Sequence, residues 1–246
     1  VKYDFGYEID PVWEAGNKNI PGIYIEFKEP WLNPKGFEQI VYDVLANTQD
    51  MNIIEKPEPE DTPFYINNGT INVGNTNGKV ILQTFSLESL VRVAEVFQGK
   101  VPMCFLLWKG TGATDLTYDD PLGYASFINL GVKYKAHFIG PCIAGAPNDY
   151  PELDQPWQDY LIHRAKMKNH PYTFDTYDQM AKYFGQYNFG VADGMFNPPY
   201  LDALFTNHSD MSINYMITHG WRKSPASQTL VDAREVLRKL GYLDNN

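Results

Sequence analysis

The ten residues Gly22–Trp31, GIYIEFKEPW, carry the strongest structural signal in the chain. Ile23, Ile25 and Phe27 alternate with Tyr24, Glu26 and Lys28, the two-residue period of a strand. Pro21-Gly22 and Pro30 punctuate its two ends. The run is strongly apolar, as expected for a parallel strand covered on both faces. Glu26 and Lys28 nevertheless lie two residues apart, so they point to the same face. A carboxylate and an ammonium placed there are costly unless they meet each other, a metal or an anion. Two readings stand. One is a structural ion pair closing the strand. The other is a site in which Glu26 meets a hard divalent cation and Lys28 a phosphate.

Outward from this stretch, strand-like runs recur, each followed by a helical pattern. They are 22–28, 79–85, 101–108, 136–143, 169–175 and 189–196. After the first, Phe37, Ile40, Val41, Val44 and Leu45 sit at helical spacing across 36–46. After the second, Ser86 is an N-cap, and Leu90, Val93, Ala94 and Phe97 share one face of a helix over 86–98. Further helical stretches are expected near 122–130, 156–168, 176–184 and 200–204. Alternating strands and helices argue for an α/β fold with a parallel sheet. No glycine-rich phosphate loop follows any of the strands, which speaks against a dinucleotide fold. Residues 47–78, rich in Asn, Pro and Gly, read as a polar surface insertion. In the tail, Ser224-Pro225 starts a helix whose apolar face is Leu230, Ala233, Val236, Leu237 and Leu240.

The balance of charge, 20 Lys and Arg against 30 Asp and Glu, gives a net charge of −10 and argues against a nucleic-acid partner. It leaves a phosphate ligand open, because a local lysine or metal overrides the global field. No run of about 18 apolar residues is present, so no membrane-spanning segment is expected. Cys104 and Cys142 both lie in apolar runs and read as small core residues; a disulfide between them remains open. The five histidines, at 137, 163, 170, 208 and 219, show no ligand spacing. His170, followed by Pro171, reads as a structural residue at a strand end.

Taken in order, GIYIEFKEPW, VILQTFSLESLVRV, VPMCFLLW, FIGPCI, NHPYTFDTYDQM and GVADGMFNPPY resemble the glycerophosphodiester phosphodiesterases, over roughly residues 20–204. The resemblance implies a TIM (β/α)8-type barrel with its site at the carboxyl ends of the strands. The segments match the third to eighth strands. The expected barrel is therefore incomplete, with about six β/α units over 1–204, the insertion at 47–78 and a C-terminal helical extension over 205–246. By the same resemblance Glu26 is a metal ligand and Lys28 faces the phosphate. Gln83 is the polar residue of the next strand, in the catalytic set with Lys28. Trp108 and Tyr172 line the substrate side. The implied cofactor is a divalent cation, Ca or Mg. The implied reaction is hydrolysis of a small glycerophosphodiester to glycerol 3-phosphate and an alcohol. The branch resembled, with the Asn- and Tyr-rich composition, leans toward a periplasmic or secreted setting.

Three departures qualify this. The family's His-Arg-Gly is lacking; His163-Arg164-Ala165 resembles it but falls on an expected outer helix and reads as surface. Glu8-Ile9-Asp10 spells the family's metal-binding Glu-x-Asp, yet only 15 residues separate Asp10 from Glu26, few for a crossover between parallel strands. Asn197-Pro198 stands where the family has Thr-Asp. The expectation is that the first two strands are absent from this chain, and with them the catalytic histidines. The alternative function is a catalytically impaired barrel that binds a phosphorylated or polyol ligand or a partner protein. A related phospholipase D-like lipase is a third reading that no basic amphipathic loop supports.

Overall fold

The computed structural model describes residues 23–29, 31–47, 66–67, 70–71, 80–112, 115–186 and 201–219. The chain divides into two units, Gly22–Tyr215 and a second made of Val1–Pro21 with Met216–Asn246. Of the second, the described residues are 216–219. Glu8, Asp10, the 189–196 run, Asn197-Pro198 and the expected helix from Ser224 lie outside the described residues.

The larger unit is α/β. Five parallel strands, β1 (Ile23–Glu26), β4 (Val80–Thr84), β5 (Met103–Leu107), β6 (Phe138–Pro141) and β7 (Lys168–Asn169), lie side by side in chain order. Two short antiparallel strands, β2 (Ile66–Asn67) and β3 (Thr70–Ile71), form a separate pair within 47–78. Helices follow the parallel strands: α1 (Phe37–Asn47), α2 (Leu87–Phe97), α3 (Pro121–Lys133), α4 (Pro156–Arg164) and α5 (Tyr177–Ala181), the last running into a π turn at Lys182–Gln186. A further helix, α6 (Ser209–Thr218), follows.

Local chemistry sets the helix ends. Ser86 caps α2 by accepting from Ser89 N–H. Asp120 accepts from the Leu122 and Gly123 N–H groups at the start of α3, where Pro121 takes the first turn. Thr176 and Gln179 form a capping box on α5. β7 is only two residues long, but bonds to the β6 side continue past it through the His170 and Tyr172 N–H groups, with Pro171 at an intervening position that donates nothing there.

The two faces of the sheet are covered differently. Ile23, Ile25, Phe27, Val80, Leu82, Met103, Phe105, Leu107 and Ile139 join Leu45, Leu90, Val93, Phe97, Phe127 and Ile162 of the helices in one core. The opposite face carries a smaller cluster of Tyr24, Ile81, Phe85, Cys104, Leu106, Phe138 and Tyr172. On that face the sheet curls. Tyr24 on β1 reaches His170, just past β7, with its hydroxyl 3.1 Å from Nδ1. Its ring centroid lies 4.8 Å from that of Phe205. In a flat sheet β1 and β7, four strand spacings apart, would stand about 19 Å from each other. Gly140 makes room for this convergence, since a Cβ there would lie 2.7 Å from Leu106 and 2.9 Å from the Cys104 sulfur.

Several details differ from the sequence reading. Ile40 and Val44 are more than half exposed, because α1 turns Phe37, Glu38, Val41 and Leu45 inward. The helix α6 falls inside the expected helical extension over 205–246, but its bounds were not marked by periodicity; it buries Ser212 and Tyr215, so its sequence lacks an apolar stripe. His163 is not a plain surface residue: Asp159 and Asp202 hold its ring from both sides. Cys104 and Cys142 are buried, as expected, and both are free thiols. Among the described residues no helix is long and apolar enough to cross a membrane.

Candidate functional site

A cleft of about 570 Å³ opens beyond the carboxyl ends of β1, β4 and β5. Glu26, Lys28 and Trp31 come to it from β1 and its loop, Phe85 and Glu88 from the end of β4, and Trp108 and Lys109 from the end of β5.

Glu26 closes β1 and pairs in register with Gln83 on β4. Phe27, fully buried, anchors the backbone between Glu26 and Lys28. Its N–H donates to the Gln83 carbonyl and its carbonyl accepts from the Thr84 hydroxyl, each over 2.8 Å. Lys28 then emerges exposed at the mouth. The Lys28 carbonyl accepts from Asn33 Nδ2, and Leu32 N–H closes a turn on Glu29, a non-glycine residue at φ +49°.

Two polar atoms on β1 and β4 lack partners among the described residues. Glu26 Oε1 and Gln83 Oε1 are both buried without a hydrogen-bond partner among the described residues. A buried acceptor without a donor costs about 1–3 kcal/mol, so two on neighbouring strands are a marked concentration of unmet polarity. No ion pair within 4 Å joins Lys28 to Glu26; the structural ion pair is not made.

Of the other expected residues, Trp108 lines the cleft, with its ring edge-on to Tyr150 at 4.7 Å and its N–H held by the Thr111 hydroxyl. Tyr172 stands behind the wall and is not among the lining residues. Its hydroxyl donates to the Leu107 carbonyl over 2.9 Å and its ring meets Phe85 edge-on at 5.6 Å, so it buttresses a lining residue. Burial pushes its hydroxyl pKa well up, keeping it neutral. Sequence reasoning did not single out Trp31, Phe85, Glu88 or the turn at Lys109–Gly112. The last had a signal in the sequence, two glycines flanking a threonine directly after an apolar strand.

The described histidines of the sheet and helices are engaged elsewhere. His137 is buried and accepts from Met103 N–H, with its pKa lowered by burial to about 3. His170 is buried against Tyr24 and stacked on Phe138, with its pKa lowered by burial to about 4. His163 belongs to a second polar cluster. There the Asn169 amide donates to Asp154 and Asp159, at 2.8 and 2.9 Å, and Asp202 accepts from His163, Lys168 and Asn169 N–H, each at 2.8 Å. Burial pulls the His163 pKa down, but hydrogen bonds and charge from Asp159 and Asp202 outweigh it and raise it to about 9. Burial opposes ionisation of Asp202 too, yet His163, Lys168 and Asn169 N–H hold it well below the usual carboxylate range. Asp154 and Asp159 are raised, chiefly by burial.

Among the described residues no group of three or more His, Cys, Asp or Glu is placed to hold a metal. Glu26 brings one unmet carboxylate oxygen to the cleft, and Gln83, beside it on β4 but not among the lining residues, holds one unmet amide oxygen. That donor set fits a Mg²⁺-like ion, which keeps several waters and takes one or two carboxylates plus substrate oxygens, better than an all-protein Ca²⁺ cage. No protein-family model matches the chain, and no curated protein matches it.

Proposed function

We propose that the chain is a metal-dependent phosphodiesterase that hydrolyses glycerophosphodiesters to glycerol 3-phosphate and an alcohol, on a TIM-type (β/α) barrel framework. The observation that carries the reading is the cleft-lining Glu26, paired in register with Gln83 on β4, each with a buried oxygen unmet among the described residues, beside an exposed Lys28 whose ammonium bonds to no described residue. Three features support the barrel: spatial strand order that follows chain order without reversal, helices packed on one face, and the Tyr24–His170 contact across the other. A doubly wound sheet would reverse its order and carry helices on both faces. The cleft also lies at the carboxyl ends of the strands, where barrel sites sit.

In this reading Glu26, with Gln83 beside it, would hold a divalent cation, which would supply positive charge next to the phosphate. Lys28 donates to a non-bridging oxygen and fixes the phosphorus over the mouth. Phe85 and Trp108 wall the site and limit water. None of the described cleft-lining residues is a histidine, and this favours the second reading, a barrel that binds a phosphorylated or polyol ligand or a partner without turning it over. Hydrolysis of glycerophosphocholine with Mg²⁺ or Ca²⁺ tests the first. Turnover is expected to fall about 10²–10³-fold in Glu26→Ala. Equal rates in both proteins remove Glu26 from the chemistry. Binding of the diester without turnover selects the second reading.

A further inference from the structure

We propose that the turn Lys109–Gly112 is a second anion subsite of the cleft, so that the preferred ligand is a phosphodiester whose alcohol half bears another anionic group. The proposal rests on the phosphodiester reading of the Glu26–Lys28 side and adds the chemistry of the other half of the ligand. The turn follows β5, while Lys28 follows β1, with β4 between them; both ends line the same cleft. Its shape is fixed by one residue. Thr111, nearly buried, donates its N–H to the Trp108 carbonyl over 2.9 Å. Its hydroxyl accepts from Trp108 N–H over 2.9 Å, and its carbonyl accepts from the Tyr118 hydroxyl. With Thr111 so held, Gly110 and Gly112 take φ +87° and +83°. Peptide units reversed in this way are the backbone arrangement that gathers N–H groups around an anion.

The donors of this turn are not spent internally. Lys109 is exposed, and neither its ammonium nor the N–H groups of Lys109 and Gly110 bond to any described residue. A Cβ built on Gly110 would meet nothing within 4 Å, so the backbone there is open to a ligand. A phosphodiester centred on Lys28 carries a single negative charge. An additional phosphomonoester or carboxylate on its alcohol would find Lys109 and a preformed turn across the cleft. The aromatic walls, Phe85 and Trp108, strengthen the charge-assisted contact by excluding water.

Matched pairs of probes test this: glycerophosphoinositol against its ring-monophosphorylated counterpart, and glycerophosphoethanolamine against glycerophosphoserine. Each pair differs in one anionic group. Affinity by calorimetry and kcat/KM are measured for the wild type, Lys109→Ala and Lys109→Arg with Mg²⁺ present. The wild type is expected to favour the more anionic member about tenfold, through Kd and KM. Lys109→Ala loses that preference, and Lys109→Arg keeps most of it. Preference in the inositol pair alone assigns a phosphomonoester; preference in both assigns anions generally. A preference in affinity without turnover of any probe retains the subsite and overturns the hydrolytic reading. No preference in either pair, or one that survives Lys109→Ala, overturns the subsite.

Discussion

The cleft at the ends of β1, β4 and β5 and the cluster between α4, β7 and Asp202 both concentrate polar side chains, and they commit them to different degrees. In the cluster, Asn169 bridges two aspartates and His163 bridges another pair, Asp159 and Asp202. At the cleft, Glu26 and its strand neighbour Gln83 each hold a buried oxygen that nothing described satisfies, and the Lys28 and Lys109 ammonium groups have no partner among the described residues. The contrast is one of degree, since Asn169 Oδ1 in the cluster is also buried without a partner among the described residues. A largely satisfied network fixes one packing arrangement, whereas unmet acceptors beside an open cleft are within reach of something outside the chain.

The sharpest break of this contrast is a matched pair of substitutions. Asn169→Leu removes a donor from each of two buried aspartates, Asp154 and Asp159, and is expected to cost about 3 kcal/mol in urea unfolding. Gln83→Leu removes an oxygen that has no donor and is expected to change stability by less than about 1 kcal/mol. Equal costs would erase the distinction. Next, Lys28→Ala is expected to lower kcat/KM for a glycerophosphodiester about 10–100-fold, with the unfolding midpoint unchanged, because the side chain is exposed and unpaired. A stability loss in place of an activity loss would move Lys28 to the structural side.

The pH dependence sharpens the other half. The His163 pKa is raised from 6.5 to about 9, so its contribution is complete below pH 6.5 and is lost as pH rises through 9. With its side chain 35% exposed, solvent screening reduces this to about 1 kcal/mol. The raised Asp154 and Asp159 act in the same direction, favouring the fold at lower pH. Depressed Asp202 acts oppositely, its share being lost only in acid. Stability is therefore expected to fall between pH 6.5 and 9, and His163→Gln should flatten that slope. The smallest effect is at the curl of the sheet: Tyr24→Phe removes the bond to His170 and is expected to cost about 1 kcal/mol.

Much of the fold was legible because period and punctuation are local. The Ser86 cap, the Leu90–Val93–Phe97 face and the apolar run of β5 all follow from neighbouring residues. The bounds of α6, inside the expected helical extension, were not legible, since it buries a serine and a tyrosine on a weakly patterned face. Of the site, Glu26 and Lys28 were visible as charges out of place in an apolar strand. Trp108 was visible as an aromatic at a strand end. Tyr172 was read as lining the pocket, but which aromatic faces the cleft and which backs it depends on how adjacent strands stagger, and a single strand does not encode that. The partners of His163 come from a helix and from a residue 39 positions away, so helical periodicity alone read it as surface.

The most direct test of the central claim is thermal unfolding of the wild type and Glu26→Gln, each titrated with Mg²⁺. If Glu26 and Gln83 hold their oxygens for a cation, Mg²⁺ raises the wild-type Tm in a saturable way and leaves Glu26→Gln unmoved. The same Mg²⁺-dependent rise in both proteins would contradict it.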